Sequence, residues 1–237
     1  MAAVFMLTLR QLSGRWRLII MTVLAAMPVF ITMLMLSFSR APSVVEFETV
    51  VFGALLAGSI IPLVVLAIAS AAFANEVEDR TLANLTLASI PRWHIAVPKL
   101  LASILVALPF IAASAFITAQ LAFLNDATAT IAVTASAVLA VALYGAAFVW
   151  LGLVSTQAIG IGLLYIVLWE GFFSSFVSGV RLLSIRYHAI ALMHGLDERR
   201  FAESEHLGLG VVAATSIVVF AVFVWLTIRR LRRMDVP

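Results

Sequence analysis

Glu170 is the one ionisable residue deep inside a long apolar run, in the context Leu168-Trp169-Glu170-Gly171. A carboxylate in hydrocarbon is costly, so such a group is a functional candidate: it could face a translocation path, bind a cation or carry a proton. The competing reading is a protonated or hydrogen-bonded carboxyl near the end of the run. Phe172–Phe176 leaves it only about two turns from the next polar segment. Three histidines, His188, His194 and His206, lie close in sequence. A metal site needs three or four ligands at matched spacing. His188 and His194 are six apart, off any single helix face, and no Asp or Glu completes a pattern, so no metal site is expected. The chain has no cysteine, which removes disulfides, thiolate sites and a cysteine nucleophile. An intramembrane hydrolase needs a serine with a buried base beside it. Ser174 and Ser175 have no histidine or lysine within an apolar run to activate them. The single lysine, Lys99, sits in Val97-Pro98-Lys99-Leu100 rather than in a glycine-rich phosphate loop. The chain therefore reads as a non-enzyme without its own cofactor, and any ATP it depends on is bound by another polypeptide.

The elements that hold these residues follow from composition. Of 237 residues, 64% are hydrophobic and 11% charged, which excludes a soluble globular domain. About 20 apolar residues span a bilayer as a helix, and the expected fold is all-α with six spans in one transmembrane domain, 1–237. The spans are expected at about Leu18–Ser37, Val50–Ala74, Leu100–Leu124, Thr130–Val154, Ile159–Phe176 and Leu207–Ile228. Residues 1–17 place Phe5, Leu9 and Leu12 at helical spacing among Arg10, Arg15 and Arg17, the pattern of an interfacial helix. Prolines within the first three spans predict kinks, and Asn125-Asp126 predicts a tight turn. Residues 177–206 are too polar to span and too apolar for free coil. They fit a short external helical segment, re-entrant or interfacial, or an amphipathic surface loop. The pI near 9.9 comes from arginines beside the spans, an orientation signal and not a nucleic-acid patch. About ten Lys and Arg fall with the termini and about five on the other side, so both termini are expected in the cytoplasm and the chain in the inner (plasma) membrane. The four arginines from Arg229 to Arg233 read as an anchor, with anionic lipid as a second reading.

The stretch from Asn75 to Lys99, NEVEDRTLANLTLASIPRWHIAVPK, interrupts the apolar runs with Glu76, Glu78, Asp79, Arg80, Arg92, His94 and Lys99. Asn75 with Glu78 three residues on fits a capping box, and Glu76 with Arg80 fits an i, i+4 pair. Leu82 and Leu85 form a short apolar stripe, Pro91 ends that helix, and a second segment starts near Arg92.

This stretch resembles the one between the second and third spans of ABC-2 type transporter permeases: E-x-E-x-G-T-L, then x-x-L, then P-x-x-R-W, then five residues and a lysine. Glu76, Glu78, Thr81, Leu82, Leu85, Arg92, Trp93 and Lys99 match. Arg80 stands where glycine is common and Ser89 where proline is common, with Pro91 two residues on, which alters the bend between the two short helices. The resemblance is sharp over about 25 positions and covers the rest only as architecture. It implies a six-span half-transporter of the type V exporter kind, with an N-terminal interfacial helix and a cytoplasmic coupling helix. Two permease chains, identical or related, would pair, and each would dock a separate ATPase subunit that holds ATP and Mg. Residues 75–99 would form the coupling region, with Glu76, Glu78, Arg80, Thr81, Leu82, Leu85 and Arg92 in docking or coupling. Membrane lipid is a further expected partner; nucleic acid is not.

Two other classes compete. An ion-coupled secondary transporter would use Glu170, but such folds carry paired charges and interrupted half-helices in both halves. A scaffold or assembly factor would show no ATP-dependent flux.

Overall fold

In the computed structural model, the description covers residues 1–38, 43–78, 91–124, 126–173, 183–201 and 208–233, with backbone alone at 74, 75, 78 and 173. Among the described residues there are helices and no strand. Helix α1 (Ala2–Leu12) turns at Ser13 and Gly14 into α2 (Arg15–Ser37). One helical rod follows, made of α3 (Val44–Glu46), the π-helical π1 (Phe47–Ile60), α4 (Ile61–Ala69) and, after a turn at Ser70, α5 (Ala71–Glu78). Then come α6 (Trp93–Ala122), α7 (Ala127–Val154), α8 (Ala158–Leu164) running into π2 (Tyr165–Phe173), α9 (Ile185–Leu196) and α10 (Leu209–Arg233).

Five helical stretches are long and apolar enough to cross a membrane: Arg15–Ser37, Val44–Phe73, Trp93–Ala122, Ala127–Val154 and Leu209–Arg233. Among the described residues the fold is accordingly all-helical and compatible with a multi-pass membrane architecture. The apolar helix Ala158–Phe172 is shorter. At about 1.5 Å per residue it does not by itself cover about 30 Å of hydrocarbon. The expected end of that span, up to Phe176, lies outside the described residues.

Local chemistry sets the boundaries. Ser43 caps the rod: its Oγ accepts from the Glu46 amide at 3.2 Å while the Glu46 carboxylate accepts from the Ser43 amide at 2.9 Å. The expected capping box at Asn75 and Glu78 is not where a helix starts. Helix α5 begins at Ala71, so Asn75 lies inside it, and the apolar residues ahead of it carry the helix past the polar boundary. Asp126 caps α7, its Oδ1 accepting from the amides of Thr128 (3.0 Å) and Ala129 (3.3 Å). Leu124, just before it, takes a left-handed conformation, φ 48°. Helix α10 continues through Arg233, so the arginines expected after the last span form its last five residues together with Leu231.

Packing places the site elements. Of the apolar stretches of Val44–Phe73 and Ala127–Val154, 67% is buried, against 22% and 17% for α2 and α10, so the first two are central and the last two peripheral. Between apolar helices lipid is as good a solvent as leucine, so close backbone approach and van der Waals contact hold the bundle. Helix α6 accordingly buries Ala107, Ala115, Thr118 and Ala119, and α7 buries Ala129, Ala132, Ser136, Ala137 and Ala140. Gly152 marks the tightest approach: a Cβ there would stand 2.2 Å from the Ser70 carbonyl oxygen.

Candidate functional site: a tethered polar stretch and a buried carboxylate

The polar stretch leaves the bundle at α5 and returns at α6. Lys99, on the second turn of α6, is buried with 1% of its surface exposed. Its Nζ stands 2.6 Å from Glu76 Oε1 and donates to the Ala72 carbonyl at 2.5 Å. The ammonium also lies 4.7 Å from the centre of the Phe73 ring. A buried ammonium must be paired and hydrogen-bonded, and all three partners come from α5. The pair therefore ties together the two ends of the excursion, 23 residues apart in sequence.

The structure pairs Glu76 with Lys99, because α6 brings the lysine back beside α5; Arg80, its partner by spacing, falls outside the described residues. Arg80, Thr81, Leu82 and Leu85 lie outside the described residues, as does the side chain of Glu78. Arg92 is half-buried at the start of α6, its carbonyl accepting from the amides of Ile95 and Ala96, both at 3.1 Å. Trp93 is exposed, and its ring stands edge-on to His94 at 4.0 Å.

Glu170 has no exposed surface. Its Oε1 accepts from the Tyr165 hydroxyl at 2.8 Å and from the Ile185 amide at 2.9 Å, and its Oε2 accepts from Ser184 Oγ at 2.5 Å. Ser184 is the N-cap of α9 and also accepts from the Tyr187 amide at 3.1 Å. The carboxylate thus sits on the amino-terminal end of α9, where free amides and the helix dipole favour negative charge. Its backbone carbonyl accepts from Arg186 Nη1 at 3.4 Å. The Arg186 side chain lies across π1, where the guanidinium is 3.4 Å from a Cβ built on Gly53 and 3.5 Å from one built on Gly58. The wider π turn puts residues five apart on one face; Ser59 Oγ likewise donates to Ala54 O at 3.0 Å. Of the two sequence readings of Glu170, the hydrogen-bonded carboxyl matches this geometry.

Tyr165, Ser184, Ile185 and Arg186 were missed in the sequence. The one usable signal was Gly53 and Gly58 at a five-residue interval.

The histidines serve separate contacts. His188 Nδ1 is 2.8 Å from the Ser184 carbonyl oxygen, and its Nε2 is 3.0 Å from Thr215 Oγ1, joining α9 to α10. His194 Nε2 is 2.7 Å from Glu48 Oε1, joining α9 to π1. His206 lies outside the described residues. Among the described residues no three His, Asp or Glu side chains gather as a metal site would require. On the same side of the bundle, Arg200 Nη2 is 2.5 Å from Asp126 Oδ2, and its guanidinium lies 5.0 Å from the Phe123 ring. Two backbone amides and the guanidinium hold the Asp126 carboxyl below the ordinary aspartate value, the Ala129 amide contributing most.

Comparison with models of known protein families returned no match, and neither did comparison with curated protein sequences.

Proposed function

We propose that the chain is the permease subunit of an ABC-2 type transporter. It forms the translocation path with a second permease chain and couples to a separate ATPase subunit, with export as the direction. Six spans, cytoplasmic termini and an inner (plasma) membrane location belong to this reading. The resemblance of residues 75–99 to the coupling stretch of that family supports it.

The observation that carries it is the Lys99–Glu76 pair. Both residues are positions of the resembling pattern. A buried ion pair between α5 and α6 makes the base of the excursion stiff, so force applied to the polar stretch passes into two long apolar helices together. A loop that served only to connect two spans would have no need of a buried charge, which is costly to desolvate. Glu170 enters as a positioning residue for α9, with its acceptor oxygens already occupied.

The test is site-specific photocrosslinking. A photoreactive amino acid at Leu85 should yield a cross-link to a soluble P-loop ATPase in native membranes, and one at Leu124 should not. Equal labelling of the ATPase from both positions, or from neither, would defeat the docking assignment.

A further inference from the structure

A groove of about 550 Å³ runs between α7, π2 and α10, lined almost wholly by apolar side chains, with Phe148, Trp150, Tyr165 and Phe223 among its walls. Trp150 and Phe223 form one wall of it in tilted ring contact, ring centres 5.8 Å apart. Along the same two helices, toward the carboxy-terminal end of α10, lies a second cavity of about 360 Å³, lined by Arg229, Arg230 and Arg233. Trp150 lines both cavities, so the apolar groove and the arginine cavity are neighbours along α7 and α10.

Arg229, Arg230 and Arg233 fall at i, i+1 and i+4, on one side of the last turns of α10, and are exposed. Among the described residues no ion pair involves any of them. Arg229 is steadied 4.9 Å from the Trp225 ring centre, which leaves its hydrogen-bond donors available. Guanidinium groups match phosphate oxygens in geometry and charge. An apolar slot beside three guanidinium groups that form no ion pair among the described residues is complementary to an amphiphile with an apolar tail and a phosphate head.

We propose that groove and arginine cavity together bind one anionic phospholipid of the adjoining leaflet, an acyl chain along Trp150 and Phe223 and the phosphate among Arg229, Arg230 and Arg233. Charge selects the lipid over a second copy of the chain as occupant. A copy related by a two-fold axis along the membrane normal carries its own arginines at the same depth and sets like charges together. The proposal is independent of the transporter reading.

The test uses the full chain, delipidated in mild detergent and examined by native mass spectrometry with added phosphatidylglycerol or phosphatidylcholine. One phosphatidylglycerol per chain should be retained, at least about tenfold more tightly than phosphatidylcholine. Replacing all three arginines by glutamine should bring the two lipids level, whereas replacing them by lysine should keep part of the preference. Val219→Trp, which fills the groove, should weaken phosphatidylglycerol while leaving the arginines in place. Inorganic phosphate at millimolar concentration should not displace the lipid; displacement would mean a headgroup site without a tail and would overturn the proposal. Equal retention of the two lipids, an unchanged preference in the glutamine variant, or undiminished binding in Val219→Trp would also overturn it. The chain has no native cysteine, so Val222→Cys reports on the remaining occupant: ready disulfide-linked dimer formation that excludes lipid would assign the groove to a second chain.

Discussion

Removing the Lys99 ammonium should destabilise the base of the polar stretch more than the lost side-chain volume suggests. Lys99→Met keeps most of the volume but leaves the Glu76 carboxylate, 14% exposed, without its cation, and the Ala72 carbonyl without its donor. Breaking a buried pair from one side costs about 3–5 kcal/mol. The residual exposure of Glu76 lets some water in and points to about 3 kcal/mol, the lower end of that range. Glu76→Leu strands a lysine with 1% exposure and should cost at least as much, toward about 5 kcal/mol. The double variant Glu76→Leu/Lys99→Met replaces ion pair by apolar contact and should fall short of the sum by about 2–3 kcal/mol. Unfolding by SDS in mixed micelles, followed by far-UV circular dichroism, measures all four corners of the cycle. Single effects below about 1 kcal/mol that simply add would show that the pair is solvated and holds nothing.

Other outcomes follow from the same geometry. Gly152→Ala drives a Cβ to 2.2 Å from the Ser70 carbonyl oxygen and should cost about 1–3 kcal/mol or more; Gly160→Ala, with nothing within 4 Å of its Cβ, should stay within about 0.5 kcal/mol in the same SDS titration. Glu170→Ala strands the Ile185 amide, Ser184 and Tyr165 and should cost about 2–4 kcal/mol, with faster hydrogen exchange at the start of α9; Glu170→Gln keeps an acceptor and should cost less. Asp126, whose carboxyl is held low in the fold, contributes stability that is complete above the ordinary aspartate value of 3.8 and is lost as pH falls through the lower folded value. Thermal melts of the wild type should therefore decline below about pH 4, and Asp126→Asn should flatten that part of the decline.

The class of fold was legible because hydrocarbon imposes so few solutions: long apolar runs can only be helices, and the turn at Asp126 and the helix start after Pro91 follow from side chains adjacent in sequence. What was not legible depends on pairs distant in the chain. Glu76 pairs with Lys99, 23 residues on, which only the packing of α6 against α5 delivers. Glu170 looks isolated in the sequence because two of its three donors, Ser184 and Ile185, lie 14 and 15 residues away beyond a polar break. The π-winding of Phe47–Ile60 left no mark on the apolar pattern, since a segment apolar on all sides has no period to read. Asn75 and Glu78 carry cap-like identities, but apolar Ala71–Phe73 ahead of them lets the helix begin a turn earlier.

We propose above all that residues 75–99 couple this chain to a separate ATPase subunit. The most direct measurement is purification of the tagged chain from its native host in mild detergent, with identification of bound proteins and assay of ATP hydrolysis. The same is done for Glu76→Ala/Arg80→Ala. The account predicts a soluble P-loop ATPase bound in fixed proportion, with docking or hydrolysis reduced in the double variant. A preparation that carries no ATPase and hydrolyses no ATP would contradict it.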